Sequence, residues 1–175
     1  RPVGLEPEVL SAAARAIRVP SFYLEIGCGI GPTTCLVALA NPLLSIIAVD
    51  PHLVCSFPQC NDGEAGTDLF LANVEASGIG KRVIFWNASA AQVAKQLKYV
   101  RPSMVLIDGD HTLEDARHDI RAFAPMVLPG GILAIDDVSG PVREAMDVYM
   151  KGDDSFRLQW TGNKLHIFQR AGAAA

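Results

Sequence analysis

Two apolar runs in this chain end abruptly in acids. Val105-Leu-Ile-Asp-Gly-Asp-His111 delivers Asp108 and Asp110, and Ile132-Leu-Ala-Ile-Asp-Asp-Val138 delivers Asp136 and Asp137. Such runs read as buried strands that carry carboxylates to one edge of a sheet. Two strands delivering four carboxylates point to a shared acidic site. A third run, Phe22-Tyr-Leu-Glu-Ile-Gly-Cys-Gly-Ile-Gly31, ends in glycines instead. Their missing side chains let the backbone turn tightly and approach a ligand closely. Together the three runs can bind a nucleoside cofactor and set a polar substrate beside it.

The elements that must position these residues follow from periodicity. Leu5, Val9, Leu10, Ala13 and Ile17 recur at helical spacing, so 5–18 reads as an amphipathic helix that Pro20 stops. Residues 21–26 read as the first strand, and Pro32 suits the first position of a helix running to Ala40. Leu44 to Asp50 reads as a second strand ending in an acid. Residues 51–67 show no period and read as a long loop of the kind that often carries function. A helix over Thr67–Ser77, a strand over Arg82–Trp86, a short helix over Ala90–Leu97 and a strand over Ser103–Asp108 follow. Thr112 is a candidate cap for a helix with Leu113, Ala116, Ile120 and Phe123 on one face. Pro129-Gly-Gly131 turns into the fifth strand, and Pro141 to Met150 is helical. Phe156–Trp160 and Lys164–Phe168 alternate around Thr161-Gly-Asn163, which is a hairpin pattern.

Five strand–helix units followed by a hairpin predict an α/β fold. The expected form is Rossmann-like and doubly wound, a mostly parallel seven-stranded sheet with a C-terminal antiparallel hairpin and helices on both faces. The 175 residues suffice for one core, so 1–175 reads as a single domain. Its expected flanks are a helical segment at 1–19 and a disordered tail at 171–175.

Half the residues are hydrophobic and 19% are charged, which excludes a disordered chain. The net charge is −4 with no dense Lys/Arg block, which argues against a nucleic-acid backbone as partner. No apolar run approaches the roughly 18 residues that span a bilayer, so no membrane partner is expected. The opening Arg1-Pro-Val-Gly, with no initiator Met or signal peptide, reads as a trimmed start. The four cysteines, Cys28, Cys35, Cys55 and Cys60, fit a cytoplasmic protein with free thiols. Cys55 and Cys60 with His52 and Asp62 have a zinc-like look, but no second cysteine pair accompanies them. A loop over the active site is the preferred reading of that stretch.

Gly27, Gly29 and Gly31 sit between a strand and a helix, with Asp50 at the end of the next strand, where a carboxylate can accept both hydroxyls of a ribose. A dinucleotide fingerprint wants a small residue three places after the second glycine, and here that position is Pro32. Glu25 lies two residues before the first glycine. A pyrophosphate gains little from a nearby carboxylate, whereas a cationic sulfonium cofactor with an amino-acid tail gains much.

Leu24-Glu-Ile-Gly-Cys-Gly-Ile-Gly31, Asp50, Ile107-Asp-Gly-Asp-His111 and Leu128-Pro-Gly-Gly-Ile-Leu-Ala-Ile-Asp-Asp137 together resemble class I S-adenosylmethionine-dependent methyltransferases. More narrowly they are similar to the family whose fourth strand ends in Asp-Gly-Asp-His, related to the metal-dependent O-methyltransferases of the catechol type. The resemblance covers roughly 20–140. It implies that the loop at Gly27, Gly29 and Gly31 wraps the methionine part of the cofactor, with Glu25 nearby, and that Asp50 holds the ribose. Asn87-Ala88-Ser89 matches the adenine-lining element, with Asn87 in place of the usual glycine; Ser89 also suits the cap of its own helix. Asp108, Asp136 and Asp137 fall where the catechol type binds a divalent cation, so Mg²⁺, Mn²⁺ or Ca²⁺ is implied. Asp137 replaces an Asn there. Asp108 also borders the cofactor, and Asp110 is expected to orient the loop. His111 stands where the catechol type carries a general-base Lys, and a His titrates near neutral pH. His118 reads as an exposed helix residue, and nothing argues for chemistry at His166.

The expected activity is thus metal-assisted O-methylation of a small hydroxylated acceptor. A nicotinamide-dependent oxidoreductase is the first rival, disfavoured by Pro32 and Glu25. The second is a non-catalytic domain that binds cofactor or metal without a working substrate pocket. Catechol-type relatives carry extra N-terminal helices over the site, so a cover must come from 51–67, an upstream segment or a second subunit. His52, Phe57 and Trp86 are candidates to line the acceptor pocket, and the closing hairpin offers an edge for homo-oligomer pairing.

Overall fold

The computed structural model describes residues 7–52 and 63–172. The elements run α1 (Pro7–Ala16), β1 (Ser21–Ile26), α2 (Pro32–Ala40), β2 (Leu44–Val49), α3 (Gly63–Ala76), β3 (Val83–Trp86), α4 (Ala90–Leu97), β4 (Met104–Ile107), α5 (Leu113–Phe123), β5 (Ile132–Ile135), α6 (Gly140–Lys151), β6 (Phe156–Thr161) and β7 (His166–Arg170). Single 3₁₀ turns precede β3 and follow α5. The seven strands lie in the order β3-β2-β1-β4-β5-β7-β6. All neighbours through β5 are parallel, and β7 pairs antiparallel with both β5 and β6. This is the expected sheet.

Strand alternation splits the core into two layers. Leu24, Ile26, Val105, Ile107, Leu133 and Ile135 face one side and pack against Val93 and Leu97 of α4, Ile120 and Phe123 of α5, and Val142 and Met146 of α6. Tyr23, Ile46, Ala48, Met104, Leu106 and Ala134 face the other side, against Leu10 of α1, Val37 of α2 and Phe70 and Val74 of α3. Every residue of β4 is buried, as a parallel strand covered on both faces requires. Among the described residues no helix is long and apolar enough to cross a membrane.

Of the boundaries that differ from the sequence expectation, two bear on the site. The predicted 51–67 loop is shorter, because α3 begins at Gly63 rather than Thr67. Glycines 63 and 66 read as loop formers, but a Cβ on Gly66 would lie 3.1 Å from the His52 ring, so that glycine serves close packing inside a helix. The second hairpin strand begins at His166, leaving Lys164 in the turn, where its carbonyl accepts from Val138 N–H at 2.8 Å. The predicted contributions of Leu5, Phe57, Cys55, Cys60, Asp62 and the 173–175 tail lie outside the described residues.

Strand register aligns the functional ends. Ile26 pairs with Val49 and with Ile107, Val49 with Trp86, and Ile107 with Ile135. The next residue of each strand is therefore Gly27, Asp50, Asn87, Asp108 or Asp136, all on one edge. The strand order reverses between β1 and β4, and open α/β sheets bind ligands at that crevice. Gly27 lies in the left-handed region at φ 85°, and a Cβ there would sit 1.9 Å from the Asp108 carbonyl oxygen. Gly27→Ala is expected to destabilise the fold by about 3 kcal/mol or more, combining backbone strain with a backbone clash, as measured by urea denaturation.

Candidate active site

The glycine loop is shaped from both ends. Gly27, Gly29 and Gly31 all have positive φ. Gly27 N–H donates to the Val49 carbonyl at 2.9 Å, and Gly29 N–H donates to Asp50 Oδ2 at 2.8 Å. Among the described residues nothing lies within 4 Å of a Cβ built on Gly29, which leaves its outer face open to them. Asp50 Oδ1 accepts from His52 N–H at 2.7 Å. Asp50 is half-buried and acts first as an anchor of the loop; the lone pairs left on its oxygens remain for hydroxyl donors.

Beneath this loop Glu25 is 1% exposed. Thr34 Oγ1 donates to its Oε2 at 2.5 Å, while Oε1 is buried without a hydrogen-bond partner among the described residues. Burial pushes its carboxyl up to about 8, with Asp108 and Asp50 adding to the shift and the Thr34 hydroxyl opposing it. A buried acid with one orphaned oxygen below a glycine cradle fits a cationic or N–H-bearing ligand above it. Ser89 caps α4, accepting from Gln92 N–H at 3.4 Å while Gln92 Oε1 accepts from Ser89 N–H at 2.8 Å. Ala88 is half-buried against the α4 layer, and Asn87 Nδ2 donates to Thr67 Oγ1 at 3.1 Å.

On the other side of the switch point, β4 and β5 deliver the acids. Asp108 N–H donates to Ile26 O at 2.9 Å and Asp136 N–H to Ile107 O at 3.0 Å, which continues the ladder one residue past each strand. Single ligand atoms of Asp108, His111 and Asp137 lie within 4.8 Å of one another. His111 Nε2 is 3.1 Å from Asp137 Oδ2 and 3.9 Å from Asp108 Oδ1. Asp108, with Asp137 and Asp110 reinforcing it, raises the imidazole above its ordinary value against the opposing effect of partial burial. By distance Asp137 is the nearer partner, and the short contact is the stronger tie. Asp136 is outside that trio. It is 3% exposed, its Oδ1 has no hydrogen-bond partner among the described residues, and it lines a narrow cleft with Asp108, Gly109 and His111. Burial, then Asp108, raises its carboxyl to about 7. Burial also raises Asp108. Asp108, His111 and Asp137 offer ligand atoms close enough together to suit a hard divalent cation, and Asp136 stands beside them with a bare buried oxygen.

Asp137 is in the left-handed region at φ 49°, held there by Ser139 N–H donating to its carbonyl at 2.6 Å. Its other carboxylate oxygen, Oδ1, accepts from Lys164 Nζ at 2.5 Å. Lys164 escaped the sequence reading because it lies in the closing hairpin, 27 residues from Asp137, and no spacing rule links the two. Thr34 escaped as well, although one helical turn beyond Gly31 was a place to look. Asp110 is exposed and accepts from Thr112 N–H at 3.0 Å, which shapes the loop. Thr112 caps α5. His118 pairs with buried Asp119 at 3.0 Å. His52, expected in an acceptor pocket, is 2% exposed with both ring nitrogens engaged. Trp86 packs against the α4 layer.

The profile of a family described as a methyltransferase domain matches residues 24–138. No curated protein matches the chain. Among solved structures, an O-methyltransferase family protein from Burkholderia thailandensis superposes with a TM-score of 0.72 at 18% identity, covering 96% of this chain and 56% of that one. This chain thus spans little more than half the length of that relative. The O-methyltransferase TomG from Streptomyces achromogenes, solved with S-adenosylmethionine, gives 0.75 at 13% identity over 95% of this chain and 80% of its own. The O-methyltransferase from Bacillus cereus, solved with S-adenosylhomocysteine, gives 0.73 at 13% identity over 94% and 80%. At such identities these likenesses speak to the fold.

The Glu25 shift has a thermodynamic consequence. A carboxyl whose folded value exceeds its unfolded one keeps its proton in the folded chain where the unfolded chain has lost it. Its contribution to stability is complete below the unfolded value of 4.5 and is lost as pH rises through about 8. Glu25→Gln is expected to flatten the fall in stability between about pH 5 and 8, by up to about tenfold in the unfolding constant per pH unit. Urea midpoints across that range measure it, and parallel curves for the two proteins would contradict it.

Proposed function

Because the chain belongs to the family of methyltransferase domains, we propose that it transfers a methyl group from S-adenosylmethionine to an oxygen of a small hydroxylated acceptor, with a divalent cation assisting. The observation that carries this reading is the shared sheet edge. Register sets the glycine loop and Asp50 on one side of the switch point and Asp108 with Asp136 on the other, with adjacent strand ends between them.

The residues divide the work. The loop through Gly27, Gly29 and Gly31 wraps the methionine portion, and Glu25 supplies negative charge beneath it. Asp50 accepts from the ribose, and Asn87, Ala88 and Ser89 border the adenine. When bound, S-adenosylmethionine supplies an electrophilic methyl on a sulfonium that departs as a neutral thioether. Asp108, Asp136 and Asp137 would hold Mg²⁺, Mn²⁺ or Ca²⁺, which would lower the pKa of an acceptor hydroxyl. His111 takes the hydroxyl proton at a ring nitrogen, and Asp108 and Asp137 stabilise the imidazolium formed. Beyond that the protein's task is to hold oxygen and methyl in line at near-contact distance. The absence of a basic block favours a small acceptor over a nucleic acid.

A second reading takes no cation. Both carboxylate oxygens of Asp137 already meet a basic group, Lys164 Nζ at 2.5 Å and His111 Nε2 at 3.1 Å. In that case these two side chains alone balance the acids.

Calorimetry with S-adenosylhomocysteine, with and without Mg²⁺, tests the assignment. Binding is expected, and a Mg²⁺ heat that disappears in Asp108→Ala supports the cation. Binding of S-adenosylhomocysteine with no Mg²⁺ heat selects the second reading, and no binding at all sinks the cofactor assignment. Asp108→Ala is expected to abolish turnover while S-adenosylhomocysteine binding largely survives. Full activity of that variant after EDTA treatment would end the metal-assisted mechanism.

A further inference from the structure

We propose that His52 is a positioning residue that locks the glycine loop and Asp50 into one unit, so that cofactor affinity depends on its imidazole ring. The inference rests on the reading that this loop and Asp50 bind S-adenosylmethionine. His52 has φ 48°, a left-handed backbone uncommon outside glycine, which persists where surrounding contacts over-determine it. Its own N–H donates to Asp50 Oδ1 at 2.7 Å. Its Nε2 lies 2.8 Å from the Gly29 carbonyl, which can only accept, so Nε2 carries the proton. The Gly29 N–H returns to Asp50 Oδ2 at 2.8 Å. Three hydrogen bonds thus close a circuit through His52, Asp50 and Gly29, and both backbone polar groups of Gly29 end on this pair.

The circuit is tied outward. His52 Nδ1 lies 2.9 Å from Thr67 Oγ1, and that hydroxyl oxygen accepts from Asn87 Nδ2 at 3.1 Å. The ring stacks on Phe85 with centroids 5.1 Å apart and an interplanar angle of 26°. Gly66 leaves room for it on the α3 side. His52 therefore joins the ends of β1, β2 and β3 to α3, the elements read as meeting the methionine, ribose and adenine parts of the cofactor. A histidine that merely filled the core would not need its proton on the nitrogen facing the loop.

The test is calorimetric titration of S-adenosylhomocysteine into the full chain, the His52→Asn and His52→Gln variants, Asp50→Asn, and the His52→Asn/Asp50→Asn double variant, with thermal melts of each. Asn tolerates the left-handed backbone but is too short to reach Gly29, whereas the Gln amide can place an N–H where Nε2 lies. His52→Asn is expected to weaken binding about tenfold or more, as loss of a buried hydrogen bond implies, and His52→Gln to stay within about threefold of the parent. The double variant is expected to bind no worse than the weaker single, because the two residues act as one unit. Unchanged affinity in a folded His52→Asn, or losses that add in the double variant, would overturn the role of His52 while leaving the cofactor reading intact. No binding by the parent chain would overturn the cofactor reading, and this one with it. Amide exchange on the unaltered, ligand-free chain needs no variant: slow exchange at Gly29 is expected, and rapid exchange there would defeat the proposal.

Discussion

At Gly27 the backbone leaving β1 passes so close to the Asp108 carbonyl leaving β4 that no methyl group fits between them. The rest of the site depends on this approach. It brings the glycine loop and the acid that ends β4 to the same point of the sheet, with only backbone between. The parallel pairing of β1 with β4 creates the approach, and the φ of 85° available to glycine permits it. A side chain there would push the two halves apart.

Charge is the second constraint. Asp50, Asp108, Asp136 and Asp137 with Glu25 are gathered around one sheet edge, and Glu25 and Asp136 are buried. Desolvation pushes the carboxyls of Glu25, Asp108 and Asp136 upward. Lys164 and His111 offset part of the remaining charge at Asp137. This arrangement favours positively charged guests on both sides of the switch point, which is what the proposed function calls for. The stability it costs the fold is the kind that functional sites store.

The hydrogen-bond circuit at His52 shows how the loop keeps a defined shape without side chains of its own. Glycines supply conformational freedom, and that freedom must be withdrawn before binding if affinity is not to suffer. Asp50 and His52 withdraw it by holding both backbone groups of Gly29. Asp50 thus serves in the free chain as a brace, with acceptor capacity still available on its oxygens.

The sequence by itself determined what strand alternation and local chemistry can determine: the seven-strand α/β order, helices α2 and α4 to the residue, the glycine loop, and the strand-end acids. Those features are local, because apolar runs, Pro32 at a helix start and the Ser89 cap act within a few residues. Only the tertiary structure decided which side chains meet. Lys164 reaches Asp137 from the final hairpin, His111 leans on Asp137 rather than standing free, and His52 turns inward to Gly29 instead of lining a pocket. Gly66 reads as a loop residue until the His52 ring is seen against it. Each of these contacts joins residues more than a dozen positions apart. Their partners are chosen by strand register and by the shape of the crevice, which no local spacing encodes.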